Sequence, residues 1–134
     1  LQCGRRNDAL KLWAAWQHHG DQGFGKRIDR LFELARYAES IVDRDPDLVL
    51  SCPVESVTVC FELTGYRSDQ VCEALRRSGD ALVGYSIVVS RKVIRLAVVN
   101  GALTEADLDR FFIDLKEAAE PRMRGENAVK AVAC

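Results

Sequence analysis

The sequence lacks the features that would assign it to several special classes of protein. Its net charge at pH 7 is only −1, so no excess of basic residues favours binding to nucleic acid or to an anionic membrane. No apolar run approaches the roughly 20 residues that a membrane-spanning helix needs. The first residues also lack the layout of a signal peptide. We therefore expect a protein that binds neither nucleic acid nor membrane.

Cysteine is present, but its spacing argues against two common uses. The cysteines are odd in number, no two form a Cys-x-x-Cys pair, and no histidine lies at metal-ligand spacing from any of them; they are Cys3, Cys52, Cys60, Cys72 and Cys134. A disulfide framework and a structural zinc site are both poor explanations of this pattern. Reduced thiols in a cytoplasmic protein fit best, and we expect Cys60, within an apolar strand, to be a small core residue.

The composition is that of an ordinary globular protein, with 48% hydrophobic and 29% charged residues. A length of 134 residues is enough for one domain with a hydrophobic core. Helical periodicity predicts a first helix from Asn7 or Asp8 to about His19, where Gly20 stops it. Residues 21–25 are predicted to be a connector, and a second helix is predicted at about 24–44. The first helix has apolar residues on two faces, so we expect it to need neighbours on both sides.

After the second predicted helix, the spacing of apolar residues changes to the period of 2 that is typical of β-strands. Strands are predicted at residues 47–52, 56–63, 81–89 and 92–99, with a hairpin turn at Ser90-Arg91. A helix between the two strand pairs is predicted to end at Gly79, and a last helix to begin at Thr104 in a capping box with Asp107. Residues 121–134 are expected to form a flexible tail. Runs of adjacent strands indicate an α+β fold, in which helices cover one face of a small antiparallel sheet.

Three motifs resemble one known family. The first is Leu-Gln-Cys-Gly-Arg-Arg followed by Leu-Lys-Leu-Trp at residues 1–13, the second is Ser-Val-Thr-Val-Cys-Phe at 56–61, and the third is Val-Ile-Arg-Leu-Ala-Val-Val-Asn at 93–100 with Thr-Glu-Ala-Asp-Leu at 104–108. In order and at this spacing they resemble the group II pyridoxal-phosphate-dependent decarboxylases, which act on glutamate, cysteine sulfinate, diaminobutyrate and aromatic amino acids. The family usually has Asn-Pro where this chain has Asn100-Gly101.

The resemblance implies a place within a longer enzyme. It suggests that residues 1–23 end a large domain, that residues 24–120 are the carboxy-terminal small α+β domain of a fold-type-I pyridoxal-phosphate enzyme, and that residues 121–134 are a tail. The family's cofactor lysine follows an Asn-Pro-His or similar tripeptide, and none of the five lysines here has that context. We therefore expect the cofactor, pyridoxal 5′-phosphate, to be held covalently by a missing upstream domain, and this chain to be inactive alone. A homodimer is expected for the complete enzyme.

Arg95 is the main candidate for a functional residue. It interrupts an otherwise apolar strand, and a buried guanidinium normally needs a carboxylate partner. From the residues alone, a solvent-facing arginine on an edge strand is the favoured explanation, and the resemblance reverses that preference. By resemblance, Arg95 matches the arginine that grips the substrate carboxylate through a bidentate fork.

A second candidate is the loop of Gln2, Cys3, Gly4 and Arg5, which by resemblance lines the cofactor pocket. An ordinary turn with solvated basic residues would explain the same sequence. His18 and His19 lie at the end of a helix, where their charge favours the helix dipole, and no partner for a catalytic triad is apparent. Besides the decarboxylase fragment, two alternatives remain: a non-catalytic α+β interaction module derived from the family, and a small ligand-binding regulatory domain.

Overall fold

A computed structural model describes the backbone of residues 7–131 and the side chains of residues 7–120. In chain order the elements are α1 (Asp8–Arg44), β1 (Leu48–Leu50), β2 (Thr58–Leu63), α2 (Ser68–Ser78), β3 (Gly84–Val88), β4 (Arg91–Ala97) and α3 (Glu105–Ala131). The strands form one antiparallel sheet in the order β1-β2-β4-β3. The α+β prediction is confirmed.

Helix α1 breaks at a single residue. Asn7 caps it, with its side-chain oxygen accepting the Leu10 N–H at 3.2 Å, and Gly20 interrupts it with φ 64° and ψ 178°. The predicted stop at Gly20 is thus confirmed, but the connector predicted at residues 21–25 is wrong. Two contacts span the break: the Trp16 indole N–H donates to Asp21 at 2.6 Å, and the Trp16 and Phe24 rings stack at 4.5 Å. One glycine in the left-handed region is enough to redirect the chain, so no loop is needed.

The core lies between one face of the sheet and the three helices. Strand β2 turns Val59, Phe61 and Leu63 toward the helices, and Phe61 packs on Phe112 of α3 with ring centroids 5.4 Å apart. The other elements contribute buried apolar residues to the same cluster, among them Leu34, Ala35 and Ala38 of α1, Leu75 of α2, Ile94 of β4, and Leu108 and Leu115 of α3. This burial is the main stabilising force of the domain.

The predicted helix ends at Gly79 and Thr104 are confirmed. Gly79 has φ 85°, and its N–H donates to the Leu75 carbonyl, while the Thr104 backbone N–H and hydroxyl both donate to Asp107. The β3–β4 turn lies one residue earlier than predicted, at Val89 and Ser90, which both have positive φ. Helix α3 continues past Pro121 to Ala131, whereas a flexible tail is predicted there. The division of the chain at residue 120 stays a prediction.

An ion pair fastens α3 to the turn after α1. The Lys116 ammonium lies 2.6 Å from Asp45 and 3.0 Å from Asp47. Burial acts to raise the pKa of Asp45, but the hydrogen bonds from Lys116 and from the backbone of Asp47 outweigh it and lower that pKa. A carboxylate with a lowered pKa in the folded state stabilises the fold above its unfolded pKa, and this stability is lost as the pH falls through the folded value.

We therefore expect Lys116→Met to lower the free energy of unfolding by about 1 kcal/mol at pH 7. The side chains of Lys116 and Asp45 are only 32% and 21% exposed, so solvent screens this pair less than a surface pair. The variant should also lose less stability between pH 5 and pH 3 than the parent, because Asp45 no longer has the hydrogen bond from Lys116 that lowers its pKa in the folded state. Urea denaturation at several pH values measures both effects.

The matched control is Lys11→Met, which removes the Lys11–Asp8 pair, whose side chains are 71% and 75% exposed. Its unfolding free energy should stay unchanged within about 0.3 kcal/mol. Equal effects of the two substitutions would show that the Lys116 pair does not fasten α3.

Candidate functional site

The face of the sheet opposite the helices carries the candidate site, and we call it the open face. Successive side chains of a strand point to opposite faces, and Val59, Phe61 and Ile94 lie in the helix-covered core. Their strand neighbours therefore point the other way. The residues that this places on the open face are Thr58, Cys60 and Glu62 of β2, Arg91, Val93, Arg95 and Ala97 of β4, and Gly84, Ser86 and Val88 of β3.

Arg95 lies at the middle of the open face. Its strand has β2 on one side and β3 on the other, so the edge-strand explanation of this arginine is wrong. In register, Arg95 is opposite Cys60 on β2 and opposite Gly84 on β3. A Cβ atom at Gly84 would lie 3.9 Å from the Arg95 Nη2 atom, so the guanidinium extends over the glycine, where no side chain obstructs it.

The charge of Arg95 is not matched within the described part of the chain. The side chain is exposed, and none of the ion pairs among residues 7–120 includes it. Arg91, two residues earlier and on the same face, instead donates to Glu62 at 2.5 Å. Arg91 is thus paired with a carboxylate of the same sheet, whereas Arg95 is free to bind a carboxylate that does not belong to the described residues.

Cys60 is not the core residue predicted from the apolar pattern. It is half-buried and faces Arg95, because its register position puts it on the open face. Burial raises the pKa of the Cys60 thiol, contact with Cys52 raises it further, and the nearby charge of Arg95 acts in the opposite direction. No local sequence signal indicates that Gly84 lies beside Arg95 or that Cys52 lies close to Cys60, since both depend on how the strands align.

The first segment of α1 exposes an apolar surface, as its two-faced pattern predicts. We define the amino-terminal apolar surface as Leu10, Leu12, Trp13 and Trp16; the two tryptophans are 60% and 44% exposed. The rings of His18 and His19 contact each other edge to face at 4.6 Å near the break in α1. Burial lowers the pKa of His19, and the nearby charges of Arg27 and His18 lower it further.

The remaining predicted site residues fall elsewhere. Gln2, Cys3, Gly4 and Arg5 lie outside the described residues. Three of the lysines are ion-paired: Lys11 with Asp8, Lys92 with Asp69 and Lys116 with Asp45. Among residues 7–131, no helix is long and apolar enough to cross a membrane.

Comparison with known proteins gives consistent matches. Residues 1–64 match the model of the pyridoxal-dependent decarboxylase conserved domain. The chain is 35% identical to human cysteine sulfinic acid decarboxylase over 90% of its own length, and 32% identical to glutamate decarboxylase of Drosophila melanogaster over 85%. The crystal structure of mouse CSAD in apo form covers 90% of the chain with 30% identity and a TM-score of 0.77.

The fold and these matches together define the class as an α+β region of a fold-type-I pyridoxal-phosphate enzyme. These matches support a fragment of a group II pyridoxal-dependent decarboxylase, a family whose cofactor is pyridoxal phosphate. The chain spans 28% of the human relative's length and 26% of the Drosophila relative's.

Proposed function

We propose that this chain is the carboxy-terminal part of an amino-acid decarboxylase, in which Arg95 binds the α-carboxylate of the substrate. The observation that supports this is the position of Arg95: a central strand, the open face, and no carboxylate partner among the described residues. A guanidinium presents two parallel N–H groups to a carboxylate, so it fixes the plane of that group as well as its place.

Holding the carboxylate is the contribution of this chain to the chemistry. Carboxylate loss requires that the bond from Cα to the carboxyl carbon stand at a defined angle to the cofactor, and a bidentate grip sets that angle. Pyridoxal phosphate, when bound in the complete enzyme, supplies the electron sink for the electrons that the departing carboxylate leaves behind. The loop of Gln2, Cys3, Gly4 and Arg5 is proposed to line the cofactor pocket beside it.

The rest of the proposal concerns what surrounds the chain. Residues 1–23 would end the large domain, and residues 24–120 would form the small domain; the break at Gly20 supports a boundary near there. The lysine that holds the cofactor would lie in the large domain. The amino-terminal apolar surface would be covered by the large domain or by the second subunit of a homodimer, because four large apolar side chains about half exposed on one helix segment are typical of an interaction surface. A cytoplasmic enzyme is proposed.

The substrate class follows from what the relatives share. One is named for cysteine sulfinic acid and another for glutamate, so their substrates differ beyond the α-carbon. The α-carboxylate is common to both, and it is the group that Arg95 would bind. An α-amino acid is therefore the proposed substrate.

We expect the 134-residue chain alone to retain no covalent pyridoxal phosphate, because it has no lysine in the attachment context. To test this, the chain is incubated with the cofactor and the mixture is reduced with borohydride. The absorbance of the chain is then recorded after gel filtration. Human cysteine sulfinic acid decarboxylase is the positive control. Stoichiometric cofactor mapped to one lysine of this chain would contradict the proposed division of labour.

Decarboxylation is tested in the complete protein that carries this chain, by carbon dioxide release from a panel of amino acids that includes glutamate and cysteine sulfinate. Release from at least one of them is expected. If the protein is folded but releases carbon dioxide from none of these amino acids, the non-catalytic interaction module is favoured instead. This holds whether or not the protein binds the cofactor.

A further inference from the structure

Two thiols from separate parts of the chain meet beside Arg95. Strand β1 ends at Leu50, and the Ser51 N–H then donates to the Cys60 carbonyl at 2.9 Å, so the chain runs alongside β2 up to Cys52. Cys52 therefore directly follows the residue that is hydrogen-bonded to Cys60. The Cys52 side chain is close enough to raise the pKa of the Cys60 thiol, and neither thiol is in a disulfide. Cys52 is exposed and Cys60 is half-buried. The fold therefore holds one accessible and one sheltered thiol together.

Cys72 is more deeply buried than Cys52 or Cys60, and burial controls both the access to a thiol and its pKa. It is buried on α2, and its thiol donates to the Gly84 carbonyl at 3.4 Å. Burial raises the pKa of the Cys72 thiol to about 11, so almost none of it is thiolate near neutral pH. Because the thiolate is the nucleophile, Cys72 is expected to be inert. Cys3 and Cys134 lie outside the described residues.

We propose that Cys52 and Cys60 form a dithiol site, which a low-molecular-weight disulfide such as oxidised glutathione converts into an intramolecular disulfide beside Arg95. This modification goes beyond decarboxylation and does not depend on Arg95 binding a substrate. The hydrogen bond from Ser51 to Cys60 holds the backbone of Cys52 beside the strand that carries Cys60, so closing the disulfide needs little rearrangement of the backbone.

The chemistry proceeds in two exchange steps. The exposed Cys52 thiolate attacks one sulfur of the external disulfide, whose S–S bond breaks and releases one thiolate. Cys60 then gives up its proton to solvent and attacks the Cys52 sulfur, and the second thiolate leaves. The two cysteines are oxidised, and one external disulfide is reduced to two thiols. The positive charge of Arg95 favours the thiolate of Cys60, against the effects of burial and of Cys52.

The test incubates the 134-residue chain with oxidised glutathione at pH 8, quenches with acid, alkylates the remaining thiols and digests with trypsin. Residues 45–66 contain no Lys or Arg, so both cysteines fall on one peptide, residues 45–67. We expect this peptide to be lighter by two hydrogens and unalkylated. Further cleavage after Glu55 should leave two fragments that a reductant separates.

Three variants and one condition make the result specific. Cys52→Ser and Cys60→Ser should abolish the closed peptide, and the second should leave glutathione attached to Cys52. Cys72→Ala is the matched control and should close like the parent. In 6 M urea the closure rate should fall at least about tenfold, because the fold no longer holds the thiols together.

The closed form should also have a melting temperature about 5–10 °C higher, since the disulfide restricts the unfolded chain. Equal closure rates with and without urea would overturn the proposal. So would a digest in which Cys52 and Cys60 stay alkylated, or pair with other cysteines in preference to each other.

Discussion

Replacing Arg95 by alanine in the complete enzyme should lower kcat/KM at least about tenfold while leaving the fold intact. A charge-assisted bidentate pair contributes roughly 1.5–3 kcal/mol, and 1.4 kcal/mol corresponds to a factor of ten. The side chain is exposed and has no partner among residues 7–120, so its removal costs the folded protein little. Steady-state kinetics measures the first effect, and thermal unfolding the second.

Two further variants show whether the charge or its shape matters. Arg95→Lys should restore little activity, because an ammonium group cannot reproduce the planar fork. Arg91→Ala is the matched control on the same strand and face, where the arginine already pairs with Glu62, and its kcat/KM should stay within about threefold of the parent. Near-normal kinetics for both Arg95 variants would remove the carboxylate-binding role.

The largest expected effect on stability belongs to Phe61. Its side chain is fully buried, and its ring packs on Phe112 where β2 meets α3. Phe61→Ala should lower the free energy of unfolding by about 3–5 kcal/mol, since it removes apolar contacts and leaves a cavity. That is a large part of the 5–15 kcal/mol typical of a domain. Urea denaturation of the 134-residue chain measures it.

Ile87→Ala is the control for Phe61→Ala, because Ile87 lies in the same sheet with 68% of its surface exposed. It should cost less than about 1 kcal/mol. If the two substitutions cost the same, the sheet and α3 do not share the core described here.

The features of the fold that could be predicted from the sequence are those with local causes. Gly79 ends α2 by donating its N–H to the Leu75 carbonyl, and Thr104 begins α3 together with Asp107. Each cap is made by residues within one turn of the helix, so its sequence signal is local. The apolar spacing of α1 likewise predicts which of its residues, Leu34, Ala35 and Ala38 among them, are buried.

The features that could not be predicted depend on distant parts of the chain. Strand order placed β4 in the centre of the sheet, and no local pattern distinguishes a central from an edge strand here. Cys60 was predicted in the core because its neighbours are all apolar, and only register shows that it faces Arg95. The connector predicted after Gly20 is wrong for a similar reason. The stacking of Trp16 on Phe24 across the break cannot be inferred from the spacing of apolar residues.

The position of a bound substrate carboxylate tests the central claim most directly. The measurement is a crystal structure of the complete enzyme with pyridoxal phosphate and an unreactive analogue of its amino-acid substrate. We expect both carboxylate oxygens to lie about 2.7–2.9 Å from guanidinium nitrogens of Arg95, on the open face of the sheet. A carboxylate held by other residues, with Arg95 in solvent, would contradict the account.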